Sequence, residues 1–140
     1  MSILTRNIQS DRDFGASKEK VIIDVIRNQW SDLEAIQKTS ERYCPYDFKS
    51  KCGTTWELKA RRNEMETYPT TIIPTAKLNK IESNHYFIFS FTDANAFIKY
   101  DKELFDTFNK KMVRYNRYGG NPNAVEHIEI PIHRLIKINI

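Results

Sequence analysis

Apolar residues recur at helical spacing near the start of the chain and alternate with polar residues further along. From Ser17 to Trp30 they stand three and four positions apart, which predicts a helix with Ser17 as its N-cap. Two β-prone runs follow, Tyr43–Phe48 and Thr54–Arg61, and Gly53 between them predicts a hairpin turn. The second run alternates strictly, so one face of the predicted strand is apolar and the other is charged.

The rest of the pattern predicts more strands and a second helix. Residues 31–42 fit either a helix start with a capping box or a short strand, and we favour the strand. His85–Phe91 and Ala96–Tyr100 predict a second hairpin. Leu104–Met112 is spaced as a helix ending before the glycine pair at 119–120. Three shorter predictions complete the order, namely an extended segment at Tyr68–Ile73, helical turns at Thr75–Glu82 and a strand at Ile128–Ile132.

This order of elements predicts a mixed α/β (α+β) fold, with a predominantly antiparallel or mixed sheet faced by helices. A length of 140 residues predicts one domain over residues 1–140. With 40% hydrophobic and 29% charged residues, the composition is typical of a soluble globular protein. No apolar run has the length of a membrane span, and the first residues lack the features of a signal peptide, so we expect a cytoplasmic protein without a membrane partner.

Charge and cysteine content narrow the candidate functions. Cys44 and Cys52 are too few for a disulfide framework, and no second Cys or His pair stands at zinc-site spacing. The net charge of +4 weakly favours a polyanionic partner such as nucleic acid.

Three ionisable residues near the first hairpin carry the candidate chemistry. Glu57 and Lys59 stand two positions apart on one strand, so their side chains project from the same face. The hairpin brings Asp47 towards Glu57, and two clustered carboxylates favour a hard divalent cation such as Mg²⁺. Such a cation serves phosphodiester hydrolysis, because it polarises the phosphoryl oxygen and helps to generate hydroxide from water. Lys59 would either orient and help deprotonate that water or stabilise charge in the transition state.

The same residues resemble a known motif. Tyr46-Asp47-Phe48 and Trp56-Glu57-Leu58-Lys59 resemble the PD-(D/E)XK motif of the restriction-endonuclease-like nucleases, in which an acidic residue precedes an acid-any-lysine tripeptide on a strand. Gly15-Ala-Ser-Lys-Glu19 is similar to the start of the family's first helix, whose glutamate often joins the metal site. Pro45 departs from the pattern, since it stands two residues before Asp47 rather than immediately before it. The resemblance covers roughly residues 15–100.

The resemblance implies a restriction-endonuclease-like core, a central mixed β-sheet flanked by helices, and Mg²⁺-dependent cleavage of DNA or, less often, RNA. Mn²⁺ is expected to substitute for Mg²⁺. Asp47, Glu57 and Lys59 would be the catalytic residues, with Asp47, Glu57 and Glu19 as metal ligands, Glu19 coordinating either directly or through a water. Independently of the resemblance, Glu19 precedes the apolar residues of its helix by helical intervals, which predicts that it lies on the core-facing stripe.

Basic residues outside the motif are candidate contacts to a DNA backbone. Arg61 and Arg62 continue the Lys59 strand, and Lys77 follows where it could reach a phosphate. Residues 110–118 combine four basic residues with tyrosines, a pattern typical of either a DNA-binding surface or a solvated helix end. The candidate DNA-binding residues are Arg61, Arg62, Lys77, Lys110, Lys111, Arg114 and Arg117.

Together these features predict a metal-dependent endonuclease that hydrolyses DNA phosphodiester bonds. So short a chain leaves little room for a separate target-recognition domain, so we expect recognition of DNA shape, ends or junctions. The alternatives are a Holliday-junction resolvase or exonuclease of the same fold, a non-catalytic nucleic-acid-binding module, or an interaction protein using its aromatic sheet surface. A homodimer is plausible, because cutting two strands or a symmetric junction needs two active sites.

Overall fold

The computed structural model describes residues 17–39, 44–81, 84–114 and 123–138. A first helix, α1, covers residues 17–29 of this part of the chain. The elements that follow are β1 Gln37–Lys38, β2 Phe48–Lys49, β3 Thr55–Ala60, β4 Thr70–Pro74, a 3-10 helix Thr75–Lys80, β5 His85–Ser90, β6 Asn95–Lys99, α2 Lys102–Phe105, β7 Lys110–Arg114, β8 Ala124–Pro131, a second 3-10 helix Ile132–Arg134 and β9 Ile136–Lys137.

The larger of two sheets has six strands in the order β1-β2-β3-β5-β6-β9. Strands β3 and β5 run parallel, with Thr55 opposite His85 and Glu57 opposite Phe87, while the other neighbouring strands are antiparallel. A parallel pair needs a crossover connection. Residues 61–84 make this crossover, and β4 and the first 3-10 helix lie within it.

The smaller sheet has three antiparallel strands in the order β4-β8-β7 and packs on one face of the larger sheet. Ile73 and Ile128 of this sheet share a buried cluster with Phe87 and Phe89 of β5. Helix α2 adds Phe105 to the same cluster. The crossover thereby places β4 alongside the larger sheet.

Helix α1 covers the opposite face of the larger sheet. Its apolar residues Ile22 and Ile26 are buried against Trp56 and Ile88. Next to its end, the Trp30 ring packs on three aromatic rings, with centroid distances of 4.9–5.5 Å. Burial of this apolar stripe is the main reason that the segment is helical, since packing stabilises short helices more than propensity does.

Several elements predicted from the sequence are confirmed. The first helix and both hairpins form, and Gly53 adopts a φ of 93° in the first hairpin turn, a conformation that favours glycine. The strand favoured for residues 31–42 is present as β1. The larger sheet is mixed, as expected. Residues 1–16, which include Gly15 and Ala16 of the segment similar to the family's first helix, lie outside the described residues, as do Tyr43, Glu82, Arg117 and the glycine pair at 119–120.

The predicted helix over Leu104–Met112 is wrong. Helix α2 ends at Phe105, and Lys110–Arg114 forms strand β7, paired with β8. Phe105 and Phe108 both enter the core, which satisfies the helical spacing within a single turn. Pairing with β8 then decides the conformation of the following residues, because tertiary contacts override weak local preference.

The fold is therefore mixed α+β around a mixed sheet. Helix α1 covers one face of that sheet, whereas the smaller sheet and α2 cover the other. A restriction-endonuclease-like core remains a prediction.

Candidate metal-binding and catalytic site

Asp47 lies immediately before β2 and is fixed against β3. Its backbone N–H donates to the Trp56 carbonyl at 2.8 Å, and its Oδ2 accepts the Leu58 N–H at 2.8 Å. The β2 ladder extends only from Lys49 to Phe48, so the Leu58 N–H has no strand partner on that side and the carboxylate takes its place. Asp47 is thus held at the amide between Glu57 and Lys59.

Glu57 projects from β3 towards the smaller sheet and is 5% exposed. Its Oε1 accepts from Lys77 Nζ at 2.8 Å and lies 3.4 Å from Lys59 Nζ. Its Oε2 is buried and has no hydrogen-bond partner among the described residues. A buried carboxylate oxygen without a partner is costly and marks a place where a water or a cation would bind.

The environment shifts two pKa values of the motif. Burial raises the pKa of Asp47, the Leu58 N–H opposes this, and the charges of Glu57 and Glu19 raise it further. Burial also lowers the pKa of Lys59. The charges of Lys77 and Arg61 lower it further, whereas the charge of Glu57 raises it. The site therefore holds carboxylates that repel one another beside a lysine that gives up its proton more readily than usual.

Glu19 lies on α1, partly exposed, with Oε2 2.8 Å from Lys38 Nζ. Its charge reaches Asp47, whose pKa it raises. The ion pair to Lys38 is a contact that the sequence did not predict, since β1 is too short to give a clear strand pattern. Glu19 therefore lies near Asp47 but forms an ion pair with Lys38.

The predicted DNA contacts at Arg61, Arg62 and Lys77 have different surroundings. Arg61 donates to Thr71 Oγ1 at 3.2 Å and to the Ile72 carbonyl at 2.7 Å, so its guanidinium ties β3 to β4. Arg62 is exposed. Lys77 points at Glu57 rather than into solvent.

Strand β7 presents Lys110, Lys111 and Arg114 at the edge of the smaller sheet, where all three are exposed. Lys111 Nζ lies 4.0 Å from a Glu129 carboxylate oxygen. The register sets Lys111 opposite His127, which is opposite Pro74. Two strand spacings, about 10 Å, therefore separate Lys111 from the start of the 3-10 helix that carries Lys77.

A buried histidine lies beside the site, and no pattern in the sequence indicated it. His85 is fully buried, its Nδ1 lies 2.7 Å from Thr55 Oγ1, and its Nε2 has no partner among the described residues. Burial lowers the pKa of His85 to about 4, so the ring is neutral at neutral pH. Only the parallel pairing of β3 with β5 brings it there, and two hairpins recognised separately do not predict that pairing.

Within the described residues, no group of three or more His, Cys, Asp or Glu side chains is arranged to hold a metal ion. Mg²⁺ in proteins often takes only one or two carboxylates together with waters and substrate phosphates. Asp47 and Glu57, with the unpartnered Oε2, fit that requirement, because hard oxygen donors that repel one another gain from a cation. Glu19 does not complete a three-residue cluster with them.

Comparison with known proteins adds no family. No protein-family model, curated protein sequence or solved structure matches this chain. Among the described residues, the helices are all too short or too polar to cross a membrane. The candidate function therefore depends on the short motif in the sequence and on the geometry of the site.

Proposed function

We propose that this protein is a metal-dependent endonuclease of the PD-(D/E)XK type that hydrolyses DNA phosphodiester bonds. One observation carries the proposal: Asp47 Oδ2 is bound to the Leu58 amide, which places this carboxylate beside Glu57 and Lys59. The carboxylates of Asp47 and Glu57 and the ammonium of Lys59, whose pKa is lowered, then lie together at strand β3.

Asp47 and Glu57 would hold the Mg²⁺ ion, and Mn²⁺ would fit the same oxygen donors. When bound, the ion would polarise the phosphoryl oxygen and lower the pKa of a water molecule. The role proposed for Glu19 is indirect, through a water, because its own oxygen is paired with Lys38.

Lys59 supplies the proton chemistry. Burial lowers the pKa of Lys59, so its Nζ would exchange a proton with the attacking water more readily than an exposed lysine would. In its protonated form the same Nζ would stabilise negative charge on the phosphate. The fixed spacing along β3 keeps Nζ beside Glu57 in either case.

DNA is the proposed substrate, and its structure rather than a long sequence would be recognised. Exposed basic side chains on β7 and at Arg62 would contact phosphates without reading bases. Two copies of the chain would be needed to cut both strands of a duplex, so a homodimer belongs to the proposal.

The competing interaction-protein hypothesis has less support. Trp56, Tyr86 and Phe97 of the larger sheet are covered by Trp30 and α1 rather than displayed. An aromatic surface for a protein partner is therefore absent from this face within the described residues.

Cleavage assays test the proposal. The protein would be incubated with linear, supercoiled, single-stranded and branched DNA in Mg²⁺ or EDTA, beside Asp47→Asn and Lys59→Met. Asparagine keeps an oxygen for the Leu58 amide, and methionine keeps the aliphatic stem of Lys59. Asp106→Asn is the matched control, since Asp106 is exposed and paired with Lys102 away from the site.

We expect Mg²⁺-dependent cleavage by the wild type and Asp106→Asn, and a loss of about 100-fold or more in the two site variants. Cleavage that survives both site substitutions would refute the assignment. Binding without cleavage would favour the non-catalytic module. The absence of both DNA binding and cleavage would favour the interaction protein. The products distinguish the remaining alternatives, because an exonuclease releases mononucleotides and a resolvase prefers the branched substrate.

A further inference from the structure

Two ammonium groups share one carboxylate oxygen in this site. Lys77 Nζ lies 2.8 Å and Lys59 Nζ 3.4 Å from Glu57 Oε1, and the carboxylate is buried. A buried carboxylate needs a counter-charge, because an unpaired charge inside a protein is costly. One lysine already supplies it, so the second is a surplus positive charge on the carboxylate whose other oxygen, Oε2, would bind a cation.

Lys77 is the more movable of the two lysines. Lys59 is carried by β3, which is paired with β5 along its full length, and its side chain is 22% exposed. Lys77 is 35% exposed and comes from a 3-10 helix without a fully buried residue and without a side-chain hydrogen bond at its N-cap. Its four-carbon stem can therefore swing without breaking a strand ladder.

Building on the proposed function, we propose that Lys77 is the resident counter-ion of the site. Its ammonium neutralises Glu57 in the free protein and leaves Oε1 when Mg²⁺ binds. It then binds a non-bridging oxygen of the DNA phosphodiester, which makes Lys77 a catalytic residue in the complex. No covalent bond changes in this exchange of ion pairs.

The exchange couples metal binding to DNA binding. In the free protein, Mg²⁺ at Oε2 is repelled by the ammonium on Oε1 of the same carboxylate, which weakens the apparent affinity for Mg²⁺ until Lys77 moves away. Once displaced, Lys77 is an unpaired cation close to the substrate, which strengthens the affinity for a phosphate. Because coupling free energies are reciprocal, DNA would raise the affinity for Mg²⁺ by the same factor as Mg²⁺ raises that for DNA.

Mg²⁺ titration of the DNA-free protein tests the counter-ion role. Isothermal titration calorimetry would compare the wild type with Lys77→Met, which keeps the apolar stem, and Lys77→Arg, which keeps the charge. Lys80→Met is the matched control, since Lys80 lies exposed in the same 3-10 helix. We expect Lys77→Met to bind Mg²⁺ about tenfold more tightly, with the other two variants close to the wild type.

Single-turnover cleavage at saturating Mg²⁺ tests the second role. The Lys77→Met variant should cleave at least about tenfold more slowly than wild type despite its tighter metal binding, whereas Lys80→Met should cleave normally. Circular dichroism would establish that each variant is folded, and Lys77→Gln would replace Lys77→Met if the latter does not fold.

The outcomes separate this proposal from the proposed function. Unchanged Mg²⁺ affinity in a folded Lys77→Met variant overturns the counter-ion role, whether or not the wild type cleaves DNA. Tighter Mg²⁺ binding with undiminished cleavage overturns the phosphate contact. Tighter Mg²⁺ binding by a protein that cleaves no DNA supports the counter-ion role and overturns the nuclease function.

Discussion

Asp47 has an environment that opposes its own ionisation. Its carboxylate is largely buried, close to the charges of Glu57 and Glu19, and has one amide hydrogen bond in compensation. A group in such a place is seldom present for stability. The residue that carries the proposed chemistry should therefore destabilise the fold at neutral pH.

The Asp47→Asn variant measures this cost. Folding raises the pKa of Asp47 above 3.8, so protonation of this carboxyl favours the folded state. That contribution to the free energy of unfolding is complete below pH 3.8 and is lost as the pH rises through the pKa of the folded state. Asparagine stays neutral and can still accept from the Leu58 amide. We expect the variant to have a free energy of unfolding higher by on the order of 1 kcal/mol at pH 7.

Urea unfolding at pH 7 and pH 3.5 would provide the comparison, with Asp106→Asn as the control for a solvent-exposed carboxylate. The gain of Asp47→Asn should shrink at the lower pH, where the wild-type carboxyl is protonated as well. An equal gain at both pH values, or a loss at pH 7, would contradict the argument.

Among the elements, β3 was the most predictable and its neighbourhood the least. Strict alternation shows which side chains share a face of β3, and Gly53 shows where the hairpin turns, so the approach of Asp47 to Glu57 could be predicted locally. The partner on the other side of β3 is β5, which is reached only through the crossover. Local patterns carry no signal for such a pairing, so the positions of His85 and Lys77 were not predictable.

The same reasoning explains the error at β7. Residues 110–114 show neither clear alternation nor a buried face, and only Val113 among them is partly buried. Their conformation is decided by β8, whose pattern lies further along the chain.

Arg61 follows β3 directly, and its side chain is hydrogen-bonded to β4, so we expect a structural role for it in addition to any contact with DNA. Replacing it with methionine removes the hydrogen bonds to Thr71 and the Ile72 carbonyl and the cation–π interaction with the Phe89 ring. We expect Arg61→Met to lower the free energy of unfolding by about 1–3 kcal/mol, because part-buried acceptors lose their donors.

Arg62→Met is the neighbouring comparison, and its exposed position predicts a change within about 0.5 kcal/mol. Thermal and urea unfolding of the two variants would decide the matter. Equal stabilities would show that the Arg61 hydrogen bonds contribute nothing to the docking of β4 on β3.

At the scale of the whole molecule, the net charge is +4, and strand β7 presents three exposed basic side chains at the edge of the smaller sheet. Binding to phosphates releases counterions, so each phosphate that the protein neutralises steepens the salt dependence of binding. If β7 contacts the DNA backbone, replacing its lysines should change the salt dependence of DNA binding.

The double variant Lys110→Gln/Lys111→Gln tests this surface. The plot of log K against log salt should become shallower, its negative slope smaller in magnitude by about 1 for every phosphate that the variant no longer neutralises. The affinity should fall by a similar factor on every DNA sequence. Fluorescence anisotropy with a labelled duplex at several NaCl concentrations would measure it. Lys102→Gln, exposed and paired with Asp106, is the control, and slopes identical to wild type would remove β7 from the interface.

The crossover at residues 61–84 also affects how the molecule folds. The β2–β3 hairpin can form early from local contacts, which brings Asp47 to Glu57, but Lys77 arrives only when β5 docks in parallel on β3. Pairing of this kind closes a long loop and is slow. Glu57 is therefore buried in a single late step, with only Lys59 beside it until then, so a ribosome-bound chain that has not yet released β5 would expose the Glu57 and Lys59 side chains of this hairpin to solvent.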